Sequence, residues 1–498
     1  MTETDQSNNK VTLEAVVKEY DLGGFTHIKL VFSLDEGMKY IVEEPVLDEN
    51  EKHVLEIVKN KVIESTEIDL EDRKVFRDQV LPLVKRYYKR VTRIKEPPND
   101  RVEAILYYVE RDILGFGKLD PVLKDPNIED VHISGIKNPV FVWYTKYDLI
   151  PSNIYFSSEE ELWTHVQKVM FASGKQVSYT NPIVDATLPG GLRVHIVHQS
   201  VSPSGAIIVI RKHRQIPLSI LDLIASDVAP PDIFAYLWTL VENKASIMII
   251  GETASGKTTL LNAIGSFIPF NMKIVVVEEV RELNLPHPTV SYMVTKETMD
   301  SRGKVTLFDL VKAAMRQRPD YIIVGEIRGE EAYALFQAMS LGHGGLGTMH
   351  ADSPVSAVKR LMMKPLEIPP YMIKELDTIV HTTKIRLGGM VNRYVVTVAD
   401  LKDIDDESKE PVFEYVYRTT ITEEGLQRHL QLENSFALRR ISEQKGIPLN
   451  YFFEGIKKKK KFLEESVKRG LSYSEFIHEV VKWWMGIGVP PVSSGTEE

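Results

Sequence analysis

The run Gly251-Glu252-Thr253-Ala254-Ser255-Gly256-Lys257-Thr258 matches G-x-x-x-x-G-K-[ST] at every fixed position. That spacing suits phosphate chemistry, and each residue type has its own reason. Gly251 and Gly256 can take backbone angles that a side chain obstructs. The N–H groups of the loop, from Thr253, Ala254 and Ser255 onward, can then converge on phosphate oxygens. The positive end of the helix that Thr259 continues adds to this. Lys257 reaches the β- and γ-phosphates of a nucleoside triphosphate, and the Thr258 hydroxyl is placed to ligate Mg²⁺. Glu252, an acid beside a phosphate site, is tolerated if it points outward.

Such a loop also needs carboxylates nearby. Tyr321–Val324 reads as a buried strand, and Gly325-Glu326 stands at its carboxyl end. Open α/β sheets bind ligands at that edge. Glu326 can hold the Mg²⁺ hydration shell or orient an attacking water; the alternative is a solvated surface acid. A second cluster, Glu278-Glu279-Val280-Arg281-Glu282-Leu283, follows the apolar run Ile274–Val277. Crowded carboxylates repel one another unless a cation sits among them. The cluster therefore suits metal–phosphate chemistry or proton abstraction from water, against a solvated charged loop. His343 and His350 lie in the glycine-rich run Gly342–Ala351, which also reads as a turn. No further ligands cluster near them for zinc.

These residues need a scaffold. Ser246–Ile250 reads as a strand before the loop. Thr259–Ile264 reads as a helix after it, with apolar Leu260, Leu261 and Ile264. From Ala229-Pro230-Pro231-Asp232, where Asp232 is a candidate helix cap, to about residue 400, short β-rich runs alternate with helical patterns. That alternation predicts an α/β core with a mainly parallel sheet. Four sections result: 1–95; 96–228, opening at the linker Pro97–Asp100; 229–404; and 405–498, expected to be helical near Phe436–Gln444 and Tyr473–Trp484. In the last section Lys457–Lys461 reads as a solvated face, or as a contact for an acidic partner or lipid head groups. Trp483 and Trp484 read as core. The polar end Ser493–Glu498 reads as disordered.

Composition narrows the classes. The chain has 498 residues, more than one core serves, and no cysteine, which excludes disulfides and thiol catalysis. Its net charge of −9 and the lack of an interleaved basic–aromatic stretch argue against a nucleic-acid binder. Met1–Lys10 is polar and lacks the pattern of a secretory signal. No apolar run reaches the ~18 residues that a membrane span needs.

Four ordered elements together resemble the type II/IV secretion ATPase superfamily, especially its archaeal pilus and archaellum branch. They are GETASGKTT, VVVEEVREL, LVKAAMRQRPDYIIVGEIRGEE and GHGGLGTMHA. Upstream, FGKLDPVLKDPNIEDVHISG (Phe116–Gly135), LPGGLRVHIV and GAIIVIRK resemble the family's N-terminal domain, and YIVEEPVL resembles the leader domain of archaeal members. The resemblance implies a RecA-like P-loop core, preceded by α+β domains and followed by a helical extension. It implies Glu278 as the base that activates water and Glu326 as the acid of the second nucleotide motif. His343 and His350 become sensors of the γ-phosphate. Arg193 and Arg211 reach the phosphates, and Arg316 and Arg318 face a neighbouring subunit. Glu279 stands where the family usually has Asp; the charge is kept. The resemblance further implies ATP and Mg²⁺, a homo-hexamer, a cleft between N-terminal domain and core, and a membrane platform protein holding the motor at the inner face of the cell membrane. Filament or secretion subunits would be engaged indirectly. The competing readings are a nucleic-acid translocase with the same core and a nucleotide-dependent scaffold without turnover.

Overall fold

The computed structural model describes residues 14–486 apart from 189–190, 213–216, 297–302, 388–389 and 423–424. The N-terminal stretch Met1–Lys10, the Pro189-Gly190 pair of LPGGLRVHIV and the tail Ser493–Glu498 lie outside the described residues. The chain divides into two units, Met1–Arg214 and Gln215–Glu498.

The first unit opens with an antiparallel sheet of β1 (Glu14–Asp21), β2 (His27–Ser33) and β3 (Gly37–Glu43). Three helices follow: α1 (Glu49–Glu64), α2 (Arg73–Thr92) and α3 (Asn99–Ile113). Asp48 and Glu51 form a capping box at the start of α1, which satisfies N–H groups that have no helical partner. Val54, Val58, Phe76, Val80, Ile105 and Val109 close one core among the three helices. The expected boundary at residue 95 therefore runs through a core, because α3 buries its apolar face against α1 and α2.

Next come α4 (Asp120–Lys124), β4 (Ile128–Ser134), β5 (Phe141–Tyr144), β6 (Asp148–Pro151), α5 (Glu159–Ser173), β7 (Ile183–Thr187), β8 (Arg193–Val197) and β9 (Ile207–Arg211). The strands form an antiparallel sheet in the order β6-β5-β4-β9-β8-β7. Ile28, Leu30, Tyr40 and Val42 of the first sheet share its core. The Tyr40 hydroxyl donates to the Asp125 carboxylate at 2.7 Å, and Tyr20 donates to the same oxygen.

The second unit begins with α6 (Ile220–Ala225), α7 (Pro231–Glu242), β10 (Ile247–Gly251) and α8 (Lys257–Gly265). It continues through β11 (Ile274–Glu278), β12 (Val290–Val294), α9 (Leu307–Met315), β13 (Tyr321–Val324), α10 (Glu331–Ser340), β14 (Gly344–Met349), α11 (Pro354–Met362) and α12 (Pro370–Ile373). The strands β15 (Thr378–Leu387), β16 (Met390–Ile404), β17 (Pro411–Thr422) and β18 (Gly425–Leu430) complete a sheet in the order β12-β11-β13-β14-β10-β15-β16-β17-β18. Pairing is parallel from β12 to β15 and antiparallel from there. Every residue of β10, β11, β13 and β14 is buried, as a sheet covered on both faces requires. Alternate residues face opposite cores. Ile247, Val276 and Ile323 meet α7 and α8; Met248, Val277 and Val324 meet α9 and α10.

Three expectations change here. The glycine-rich run after His343 is a central strand, not a turn. A Cβ on Gly344 would come 2.5 Å from the Tyr321 ring, and one on Gly345 2.2 Å from Met339 Cε. Neighbouring side chains fill the space that glycine leaves. The section from 405 opens with strands; its helices α13 (Phe436–Lys445), α14 (Leu449–Arg469) and α15 (Tyr473–Trp484) begin only at 436. Finally, Asp232 does not cap α7. The N-cap is Pro230, and Asp232 lies 3.0 Å from Lys460 Nζ of α14.

The lysine run is not one solvated face. Lys459 is buried; its ammonium donates to Thr239 Oγ1 at 2.9 Å, pairs with Glu242 and lies 5.6 Å from the centre of the Trp238 ring. Burial lowers its pKa below the ordinary lysine value, against the pull of Glu242. Trp483 and Trp484 pack around Trp238, with ring centres 5.5 and 6.2 Å away. Among the described residues, no helix is long and apolar enough to cross a membrane.

A buried polar knot ties α13 to the sheet. The Asp400 carboxylate accepts from the Tyr236 hydroxyl at 2.8 Å, Ser435 Oγ at 2.7 Å, Thr378 Oγ1 at 2.8 Å and the Ala437 N–H at 3.0 Å. Burial raises its pKa, with these donors opposing the shift. Asp400→Ala would leave buried donors without an acceptor. It is expected to destabilise the unit by roughly 3 kcal/mol, read as a lower denaturant midpoint. An unchanged midpoint would show that the knot is not needed.

Candidate nucleotide site

Parallel strands bring their carboxyl ends to one sheet edge. Along β11-β13-β14-β10 that edge presents, in order, Glu278, Gly325-Glu326, His350 and Gly251, at about 5 Å per step. The loop after Gly251 leads into α8. Ala254 has φ 61° and Gly256 φ 92°, both left-handed. The helix takes Gly256 as its N-cap and has no side-chain cap. Its first-turn N–H groups therefore meet the edge with no capping side chain competing for them.

Lys257 is buried. Its Nζ donates to the carbonyls of Gly251 at 3.0 Å and Glu252 at 2.7 Å, and lies 3.4 Å from His350 Nδ1. Burial lowers its pKa, while the Glu326 and Glu252 carboxylates oppose the shift. His350 Nε2 lies 3.0 Å from Glu326 Oε1, so the imidazole stands between the lysine and the acid, although Oε1 accepts no hydrogen bond. Burial and the Lys257 charge lower the histidine pKa, against the pull of Glu326. Burial acts to raise the Glu326 pKa, but Arg328, His350 and Lys257 together hold it below its ordinary value. Arg328 donates to Glu326 Oε2 at 2.6 Å and lies 3.8 Å from Glu279.

Glu278 is buried at the end of β11, and its Oε1 accepts from the N–H groups of Glu282 at 3.0 Å and Leu283 at 3.1 Å. A Cβ on residue 325 would come 2.9 Å from Glu278 Cγ. Glycine there lets the Glu278 side chain lie against the turn that carries Glu326. Buried Glu331 steadies that turn by accepting from the N–H groups of Arg328 at 2.6 Å and Gly329 at 2.7 Å.

The structure thus groups Lys257, His350, Glu326 and the loop residues Gly251, Thr253, Ala254, Ser255, Gly256, Thr258 and Thr259 at one edge, with Glu278 beside Gly325 two strands beyond His350. His343 is not among them. It precedes β14 while His350 follows it, so the strand separates them by roughly 20 Å. His343 Nδ1 lies 2.7 Å from the Pro319 carbonyl oxygen at the opposite edge. Arg316 and Arg318 are exposed on that same side, ahead of β13. Arg193 and Arg211 belong to the first unit, where they face each other across β8 and β9. Arg211 Nε lies 3.4 Å from Asp130 Oδ1. Sequence reasoning missed Arg328, although its place two residues after Glu326 was a signal.

The donor set fits a magnesium nucleotide. The uncapped helix start and Lys257 suit phosphate oxygens. The Thr258 hydroxyl and Glu326 suit a hard cation that prefers oxygen ligands.

Residues 127–387 match the family model described as "Type II/IV secretion system protein". An uncharacterized protein of Methanocaldococcus jannaschii is 36% identical over 421 residues, covering 80% of this chain and 76% of that protein. The chain belongs to the type II/IV secretion system protein family. A type IV secretion system protein PtlH homolog of Bordetella bronchiseptica is 34% identical, over 44% of this chain and 74% of that one. A putative conjugal transfer protein of Mycobacterium tuberculosis is 32% identical, over 52% and 76%. Among solved structures, the Legionella pneumophila ATPase DotB shares 17% identity, with 71% of this chain and 92% of that chain covered, at a TM-score of 0.40.

Proposed function

We propose that the chain is a Mg²⁺-dependent ATPase. In this reading it is a subunit of a homo-hexameric motor that works against a membrane platform protein at the cytoplasmic face. It assembles, retracts or rotates a type IV pilus-like filament, or drives protein secretion. The observation that carries the reading is the gathering of Lys257, His350 and Glu326 at one sheet edge beside an uncapped helix start.

In this mechanism Lys257 leaves the Gly251 and Glu252 carbonyls for the β- and γ-phosphate oxygens. Thr258 and Glu326 would hold Mg²⁺, which would supply charge neutralisation for the phosphates. Glu278 orients the attacking water and accepts its proton. His350 touches both the phosphate-binding lysine and the metal-binding acid, so loss of the γ-phosphate changes both of its contacts. Arg193, Arg211 and His343 enter this scheme by family resemblance alone. ATP binds one arrangement of the motor better than another, so its cleavage shifts the balance between them.

Phosphate release by the purified chain tests this. Turnover should require Mg²⁺ and respond to the platform protein or to polar lipid rather than to DNA. Stimulation by single-stranded DNA would move the chain to the translocase reading, which the conjugal-transfer relative keeps in view. No turnover under any condition would leave a scaffold.

A further inference from the structure

The hairpin β15–β16 lies against the phosphate loop. Thr382 Oγ1 donates to the Ile250 carbonyl at 3.1 Å and lies 3.0 Å from Ser255 Oγ. The Lys384 N–H donates to Glu252 Oε1 at 3.2 Å. Arg393, paired with Lys384 across the hairpin, donates from Nε to the Ala254 carbonyl at 2.8 Å. Its Cδ is 3.5 Å from where a Cβ on Gly256 would stand.

Ala254 is the residue of this loop that combines a side chain with a left-handed backbone. A residue with a Cβ pays an energetic penalty there and holds the conformation only when its surroundings fix it. In a loop that turns its N–H groups toward an anion, carbonyls turn away and need donors on the far side. Lys257 supplies them for Gly251 and Glu252, but it must leave if it is to meet phosphate. Arg393 serves a different carbonyl from another strand, so its bond persists when Lys257 moves.

We propose that Arg393 is a positioning residue for the phosphate loop. It fixes the left-handed Ala254 peptide, and the loop is thereby shaped for nucleotide before nucleotide arrives. The inference rests on the ATPase reading and extends it to a strand outside the nucleotide motifs.

The test uses the full chain, a fluorescent ATP analogue and steady-state kinetics on the parent, Arg393→Gln, Ala254→Gly and the double variant. Arg393→Gln should weaken nucleotide affinity about ten- to a hundred-fold, the range for loss of a charge-assisted hydrogen bond. KM should rise with it, while kcat at saturation stays within about three-fold. The melting temperature without nucleotide should barely move. Ala254→Gly in the Arg393→Gln background should recover most of the affinity, because glycine takes the left-handed backbone without the side-chain penalty. Unchanged affinity in Arg393→Gln, beside an active parent, would overturn the proposal. So would a loss that Ala254→Gly does not recover, which would mean direct contact with the ligand. A parent that binds no nucleotide would overturn the ATPase reading, and this inference with it.

Discussion

Glu278→Gln is expected to slow ATP hydrolysis by about 10²–10⁴-fold while nucleotide affinity stays within a few-fold of the parent. The substitution is nearly isosteric. Its amide oxygen can keep accepting from the Glu282 and Leu283 N–H groups, so the end of β11 keeps its shape. What is lost is a carboxylate able to take a proton from water. The place next to Gly325 matters because it sets this carboxylate beside the turn bearing the proposed metal ligand Glu326. Phosphate-release kinetics and nucleotide titration on one preparation separate the two effects. Undiminished turnover in Glu278→Gln would remove Glu278 from the chemistry.

Lys257→Ala should affect binding as well as chemistry, weakening nucleotide binding and lowering turnover by about 10²–10³-fold, the cost of removing a single preorganised donor in other active sites. Without nucleotide, the buried ammonium is occupied by two loop carbonyls and lies near His350. Its removal therefore also takes away a donor that holds the loop's entry. Circular dichroism and melting on the same sample show whether the fold survives. A folded Lys257→Ala chain that binds and hydrolyses ATP like the parent would contradict the assignment.

Much of this site could be read from the chain alone. The glycine spacing, the strand before it and the helix after it are local, and β10 and α8 form where that pattern puts them. Glu326 and Glu278 were legible for a related reason. In a parallel sheet the residue after an apolar run stands at the carboxyl edge, whichever strands lie beside it. The two histidines were not separable in this way. Seven positions apart, both flank a glycine-rich segment, and only the strand between them decides that His350 reaches Lys257 while His343 reaches Pro319.

The lysine run shows a different failure. A block of like charge reads as solvent-facing, but Phe452, Ile456, Lys459 and Leu463 recur at helical spacing on the buried side of α14. Periodicity carries one lysine inward regardless of its charge. Its partners Thr239 and Glu242 lie more than two hundred residues earlier, beyond any local signal. Arg393 was illegible for the same reason, because its tie to Ala254 exists only once β15 and β16 are laid beside β10.

The whole interpretation turns on whether a triphosphate occupies the edge shared by β10, β14 and β13. A structure of the chain with Mg²⁺ and a slowly hydrolysed ATP analogue measures this directly. The γ-phosphate should lie against the start of α8, with Lys257 Nζ turned from the Gly251 and Glu252 carbonyls onto it and the cation between Thr258 and Glu326. An analogue bound elsewhere, with Lys257 still on those carbonyls at full occupancy, would contradict it.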